Sequence, residues 1–458
     1  MSKSQPVKSF AYILGAITAL MLPRIAVAAE AEFNLHVGAA AANLEADDSM
    51  VISGGIGPRY ATGQEGQLRV VAIVIQGPAS NKIAIVGCDV LFTPADIVAP
   101  ALAEIEQTTG IPATNVLVNA THTHHAPSTT RFLGCEREEL FCRRLREAIV
   151  KSVQQSNAAA RDNKSQFLFH LGKEDTVGVN SRLLLDDGKI FWIGPSDNAV
   201  RPTGPFDPEL PVLAFRGPKG ELQAAIYNHS THTIGTLGGE VRSPSFYGLA
   251  AQELETELHG TVCFLEGASG STHNNTSVSV AEAVTRMKKA VIDGLEKSKP
   301  QTVTRIRSQK RRFDFKVRTF DERVEDEKVV TYVRKYVPEV AELTIDIFRN
   351  MRRELKPLQD EVRQTTIQAI VIGDVAIVGV PAEYFTSLGV DIKRRSPFEH
   401  TFIASLANDW IGYLPDREGH RLGGYQTWMG LHSYAEVGTG ERMADAVVEM
   451  LQDLAVER

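Results

Sequence analysis

Val116-Leu117-Val118-Asn119-Ala120-Thr121-His122-Thr123-His124-His125-Ala126-Pro127 is the stretch around which the chain is organised. Its first three residues form a short apolar run, β-branched at both ends, that reads as a buried strand arriving at a sheet edge. Three of the twelve histidines then follow within four positions. His122 and His124 are two apart, a spacing that in extended backbone points both imidazoles to one face. A polar, histidine-dense strand end makes a poor core and a good metal site. The competing reading is a surface loop with incidental histidines, and the rest of the chain decides between them.

Working outward, apolar β-branched runs at 68–75 and 82–86 flank the turn Gly77-Pro78-Ala79-Ser80-Asn81 and read as a hairpin. A helix is predicted over 94–108, stopping at Gly110, and an amphipathic helix over 138–155. Beyond it the pattern is strand and loop: 167–171, 191–193, 212–215 and 222–228. The last of these runs into a second cluster, His229-Ser230-Thr231-His232-Thr233. A helix over 248–259 precedes a strand over 261–265, which enters the small-residue loop Gly267-Ala268-Ser269-Gly270. Ser279 reads as the N-cap of a helix reaching 297. The charged region 322–364 suits long helices with solvated faces and a break near Pro338. A hairpin over 366–372 and 375–378 ends in Pro381-Ala382-Glu383, a last strand over 401–406 leads to Asn408–Tyr413, and 443–454 closes the chain as a helix. Ala84-Ile85-Val86-Gly87 and Ala376-Ile377-Val378-Gly379 each follow a hairpin turn and precede a helix, a thin hint of two related halves. Alternating buried strands and amphipathic helices point to an α/β (or α+β) fold of mixed sheets with flanking helices and a site at strand ends.

The N-terminus carries Lys3 and Lys8, an apolar run over 10–22 and then Ala26-Val27-Ala28, the order of a secretory signal peptide. Residues 1–28 are read as that signal and 29–458 as a single large domain, secreted or periplasmic, with an uncleaved anchor as the alternative. A net charge of −7 gives no reason to expect nucleic acid as a partner. Cys135 and Cys142 would be able to pair in an oxidising compartment, while Cys88 and Cys263 read as buried thiols. No C-x-x-C occurs, which argues against a cysteine-ligated zinc.

Polar residues gather where strands end: Asp89, His122 with His124, His229 and Glu383. Loops at strand ends can carry groups that a core cannot. Two imidazoles and a carboxylate delivered this way suit zinc with room for water, and zinc acidifies a bound water toward neutral pH. Asp89 is placed to orient a ligand histidine or to cap a turn.

Ala120-Thr121-His122-Thr123-His124, an H-x-T motif at His229, the glycine-containing turn after Phe264-Leu265, Pro381-Ala382-Glu383 and the pair Tyr413/Tyr425 occur in that order. Together they resemble the catalytic domain of the neutral (non-lysosomal) ceramidases, zinc-dependent amidases that cleave the N-acyl bond of ceramide. The resemblance covers roughly 35–458 and does not take in the β-sandwich domain that follows in that family. It implies zinc held by His122, His229 (with His232 as the other candidate), Glu383 and Tyr413. It further implies substrate contacts from His124, from Tyr425 twelve residues after Tyr413, and from Arg182 in Asn180-Ser181-Arg182. The family's G-D-x-S-P loop reads Gly270-Ser271-Thr272-His273-Asn274 here, so its serine is replaced by His273.

The mechanism this implies is attack of an activated water on an amide or ester carbonyl. His124, Tyr425 and Arg182 would polarise that carbonyl, and His273 would protonate the leaving group. The expected partner is a small-molecule or lipid amide, with peripheral membrane contact for a lipid. Two alternatives stand beside this: a hydrolase of the same architecture acting on an acylated sugar or amine, and a secreted binding protein without activity.

Overall fold

The structure is a computed structural model that describes residues 1–2 and 33–456. The segment read as a signal peptide falls, from residue 3 on, outside the described residues. Among the described residues no helix is long and apolar enough to cross a membrane.

The larger sheet has the spatial order Thr261–Glu266, Leu222–His229, Glu209–Arg216, Lys164–Lys173, Leu35–Asn43, Arg69–Gln76, Lys82–Cys88 and Val116–Ala120, with the short strand Lys299–Pro300 added on Lys164–Lys173. The two outermost strands run parallel to their neighbours, and the inner pairs are antiparallel. A second sheet is built from Ile306–Lys316, Val362–Ile372, Val375–Gly379 and His400–Ala404, again with its last pair parallel. These mixed sheets with flanking helices are the α/β class that the sequence pattern predicts.

Strand periodicity explains the layers. Val71, Ile73, Ile75, Ile83 and Ile85 point into a core shared with Ile370, Ile372, Ile377 and Phe402 of the second sheet. Their alternates Val70, Ala72, Val74, Ala84 and Val86 pack beneath the helices Ala95–Thr109 and Glu139–Ala159. Burial on both faces is why these strands read as unbroken apolar runs. On the other flank, Val212, Ala214 and Tyr227 meet the helices Ser245–Leu258 and Val280–Lys297.

One feature of the larger sheet decides where the site lies. Leu35–Asn43 and Lys164–Lys173 share only two register pairs, Leu35↔Ser165 and His36↔Lys164. The sheet bends at that thin joint, and its two outer strands come against each other. Cys263 and Leu265 share a core with Val71, Ile85 and Leu117. The main-chain N–H of Glu266 donates to Asn119 Oδ1 at 2.9 Å. Strands at opposite ends of one sheet thereby deliver their C-terminal loops to one place.

Most predicted elements are present with ends shifted by a few residues, and Ser279 Oγ accepts from Glu282 N as an N-cap. The strand Ile306–Lys316 escapes the sequence reading because its run of Arg and Lys breaks the apolar alternation; only Ile306, Phe313 and Phe315 are buried. Both echo strands, Lys82–Cys88 and Val375–Gly379, are second strands of hairpins that pair in parallel with the next strand of their sheet. All four cysteines are buried and free. Cys135 and Cys142 do not form the disulfide considered above: Cys135 Sγ points at the carbonyl of Gly57 at 3.3 Å and Cys142 Sγ at that of Thr129 at 3.7 Å.

Candidate metal centre and its pocket

His122 lies two residues past the end of Val116–Ala120, and its backbone is not extended but left-handed, with φ of 61°. The two-residue spacing therefore does not act through a strand face as expected. A turn brings His122 and His124 together instead, with ring centroids 4.7 Å apart and planes at 83°. A non-glycine residue held at positive φ is strained and persists only where its surroundings fix it. Here Thr121 N donates to Cys88 O at 2.9 Å, and Thr121 Oγ1 donates to Asp89 Oδ1 at 3.3 Å. Asp89 thus holds the turn before His122, and among the described residues no imidazole bonds to it. Burial pushes its carboxyl up to about 7.

The second cluster arrives from Leu222–His229. Thr233 Oγ1 donates to Thr121 O at 2.7 Å, and Thr123 and Thr233 form a parallel bridge, so the two histidine loops are stitched side by side. This seats His232 against His122, with ring centroids 4.5 Å apart. Glu383 comes from the short strand Glu383–Tyr384, which pairs in parallel with Tyr413–Leu414. A Cβ on Gly270 would fall 2.3 Å from the carbonyl oxygen of Glu383, so only glycine lets that loop pass behind the carboxylate strand.

The hydrogen bonds fix what these imidazoles present. Nδ1 of His122 meets Leu91 O at 3.1 Å, Nδ1 of His124 meets Gly54 O at 2.8 Å, and Nδ1 of His232 meets Ser269 O at 3.0 Å. A carbonyl accepts only, so each Nδ1 carries the proton and each Nε2 turns a lone pair inward. Nε2 of His122 and of His124 are 3.3 Å apart. Glu383 Oε2 lies 3.5 Å from the Nε2 atoms of both His122 and His232, and the Tyr413 hydroxyl lies 3.1 Å from Nε2 of His232. Burial, reinforced by the neighbouring imidazoles, lowers His124 well below its ordinary value, and burial also lowers His232, so both are neutral at neutral pH. Burial alone would raise Glu383, but its place beside the His122 and His232 imidazoles outweighs this and holds the carboxyl well down. Burial and then the Glu383 charge push the Tyr413 hydroxyl up, keeping it a neutral phenol.

Acceptor lone pairs and a carboxylate facing one another with no proton between them fit a bound cation. His122, His124 and His232 offer ligand atoms that all lie within 4.8 Å of one another. This donor set of nitrogen and carboxylate oxygen suits a borderline metal better than Ca²⁺ or Mg²⁺, which take oxygen shells.

His229 is built differently. Its Nδ1 meets the Tyr247 hydroxyl at 2.5 Å and its Nε2 meets Glu174 O at 2.9 Å, so the protein itself occupies both nitrogens. It is fully buried, and of the two candidate histidines it is His232 that the fold brings to His122.

Above the cluster lies a pocket of about 260 Å³ lined by Gly54, Gly55, Arg59, His124, His232, His273, Trp192, Tyr413 and Tyr425, among others. Tyr425 is stacked between Trp192 and His432, at 4.4 and 4.8 Å between centroids, with its ring 5.8 Å from that of Tyr413. His273 lies 4.5 Å from the ring of His232, and burial lowers it well below its usual value. Arg182 stands apart. It is fully buried, donates to Gln426 Oε1 at 2.6 Å, to Gly423 O at 2.6 Å and to Gly419 O at 3.2 Å, and does not line the pocket. Its guanidinium clamps the turn that presents Tyr425, and burial lowers it to about 10.

No protein-family model matches the chain, and no curated protein matches it. Solved structures do. The neutral ceramidase from Pseudomonas aeruginosa superposes with a TM-score of 0.72 at 18% identity, over 92% of this chain and 74% of that one. A ceramidase complexed with C2 gives a TM-score of 0.72 at 18% identity, over 93% of this chain and 76% of that one. The chain shares the neutral ceramidase fold. At this identity the likeness is one of architecture.

The sequence reading missed the carbonyls of Leu91, Gly54 and Ser269, because every residue carries a carbonyl and none signals its role. It also missed Arg59 and Trp192. The glycine-dense run Ser53-Gly54-Gly55-Ile56-Gly57-Pro58-Arg59 was the available signal, since close backbone approach is what such glycines permit. A Cβ on Gly54 would sit 2.7 Å from Nδ1 of His124.

Proposed function

We propose that this protein is a zinc-dependent hydrolase that cleaves an N-acyl amide bond of a lipid or related small molecule, in the manner of the neutral ceramidases. The observation that carries this reading is the convergence of inward-facing Nε2 atoms with the Glu383 carboxylate at the floor of a pocket. His122, His232, Glu383 and Tyr413 would hold the zinc, with His232 in the place first given to His229. Zinc bound there would acidify a water molecule and polarise a carbonyl.

The chain's own residues do the rest. Leu91 O and Ser269 O hold the rings of His122 and His232 in the tautomer that leaves Nε2 free, and Trp410 Nε1 holds Glu383 Oε1 at 3.2 Å. His124, fixed by Gly54 O, borders the pocket and faces the substrate. Tyr425, neutral because burial raises its hydroxyl, is a donor placed to hold developing negative charge on the carbonyl oxygen. Arg182 acts through Tyr425 by clamping its turn, in place of the direct carbonyl contact first assigned to it. His273, a neutral imidazole at the pocket wall, is the residue to take a proton from the attacking water and pass it to the leaving amine. The N-terminal segment supports export, which places the reaction outside the cytoplasm.

The test is a panel of N-acyl amides, ceramide among them, set against ester and glycoside substrates on zinc-loaded full-length protein. Amide cleavage that disappears in His122→Ala together with bound zinc is the expected result. Turnover of only esters or glycosides, or unchanged zinc in His122→Ala, would overturn it.

A further inference from the structure

Arg59 lines the pocket beside His124, and nothing in the mechanism above uses it. Its position is fixed by main chain. Ile52 and Arg59 form an antiparallel bridge, with Ile52 N donating to Arg59 O at 2.8 Å. The side chain lies over Gly55, where a Cβ would come within 3.3 Å of Arg59 Nε. One guanidinium N–H donates to the main-chain oxygen of His124 at 2.7 Å.

What the guanidinium lacks is a carboxylate. Among the described residues no acidic side chain reaches ion-pair distance of it, and Glu240 acts on it only from further away. Other arginines of this fold find acceptors within the protein: Arg242 pairs with Asp48 at 2.6 Å, Arg69 with Glu255 at 2.6 Å and buried Arg352 with Asp326 at 2.7 Å, while Arg182 donates to Gln426 Oε1 and two carbonyls. A guanidinium carries five N–H donors in a planar fork that suits a carboxylate, and Arg59 spends one of them on His124 O. Beside it, His125 Nε2 accepts from Gly235 N at 2.8 Å, which puts that imidazole's proton on Nδ1. Burial, and then Arg59, lower His125 to about 4, so at neutral pH it is a neutral donor and adds no charge. The pocket wall next to the metal centre therefore offers cationic and N–H donor groups with no protein anion to take them.

The pocket's size points the same way. At about 260 Å³ it has room for a compact polar head group beside Arg59. Arg59 is exposed at the pocket's open side, where a carboxylate on the head group would meet the guanidinium fork as a charged partner that a hydroxyl-only head group does not supply.

We infer that the preferred substrate is an N-acyl amide bearing a carboxylate near the scissile bond, an N-acyl amino acid in class, and that Arg59 selects it. This rests on the amide-hydrolase reading and deepens it. A charge-assisted hydrogen-bonded pair at a partly open wall is worth on the order of tenfold in preference.

Two measurements on zinc-loaded full-length protein decide it, using N-octanoylglycine and its neutral isostere N-octanoylglycinamide. The first is the ratio of kcat/KM for the two amides. The second is the ratio of their binding constants by calorimetry, which needs no turnover. In the wild type both ratios favour the carboxylate by about tenfold or more. In Arg59→Met they fall toward one, and Arg59→Lys restores part of the preference. A wild-type ratio near one, or a carboxylate preference that survives in Arg59→Met, overturns the inference. If neither compound is hydrolysed, the hydrolase reading fails for this class, and the calorimetric ratio alone still decides whether Arg59 is an anion site.

Discussion

Glu383 and Tyr413 are directly paired residues of a two-residue parallel ribbon, so one backbone register sets two of the oxygen atoms at the candidate metal centre. Main chain on both sides reinforces it: Glu383 N donates to Gly412 O at 3.1 Å and Tyr413 N to His432 O at 2.7 Å. The two side chains differ in charge, since the carboxyl is held well down and the phenol well up. Glu383→Gln, which keeps the shape and removes the charge, is expected to weaken zinc binding by more than about 100-fold, and Tyr413→Phe by about tenfold. Zinc affinities measured by chelator competition check this. Equal losses in the two variants would contradict the division of roles.

His232 and His229 stand three positions apart and make opposite predictions. His232→Ala removes an inward lone pair and should empty the site. His229→Ala removes the partner of the Tyr247 hydroxyl and of Glu174 O. Leaving buried polar groups unpaired costs about 1–3 kcal/mol, so that variant should melt earlier yet bind one zinc per folded molecule. Zinc content measured on the folded fraction of each variant separates them, and zinc lost from His229→Ala with zinc kept in His232→Ala would reverse the assignment.

Much of the fold was legible because burial on both faces of the strands, as in Arg69–Gln76, leaves an unmistakable apolar run. Ile306–Lys316 was not, because its exposed face carries the cations that hide the strand. At the site, the types and order of His122, His124, Glu383 and Tyr413 were readable. The choice between His229 and His232 was not, because it depends on what each Nδ1 touches: Tyr247 lies on a helix and Ser269 in a distant loop. The left-handed turn at His122 was equally invisible, since it is imposed by Thr121 bonding back to Cys88 and Asp89. Arg182 was placed in the pocket by analogy of motif, whereas three acceptors on the 419–426 turn hold it in the core.

That clamp makes its own prediction. Arg182→Met would orphan Gln426 Oε1 and the carbonyls of Gly419 and Gly423, at a cost of roughly 1–3 kcal/mol for leaving buried acceptors unpaired. Its effect on function should run through Tyr425, lowering kcat while bound zinc stays stoichiometric. Loss of zinc in a folded Arg182→Met protein would instead tie this residue to the metal centre.

Asp89 supplies a dependence on pH that can be measured without substrate. Burial raises its carboxyl to about 7, with the Arg69 charge and hydrogen bonds from Arg69 N and Thr121 opposing. In the unfolded chain an aspartate titrates at about 3.9. Between those two values the folded protein binds the proton and the unfolded chain does not, so this group's contribution to stability falls as pH rises from about 4 to about 7, by up to about 1.4 kcal/mol per unit, and is flat above. Asp89→Asn keeps an acceptor for Arg69 N and removes the titration. Denaturant unfolding at pH 5, 6, 7 and 8 should show a shallower fall in the variant than in the wild type over the first three points, and parallel curves in both would exclude Asp89 as the source.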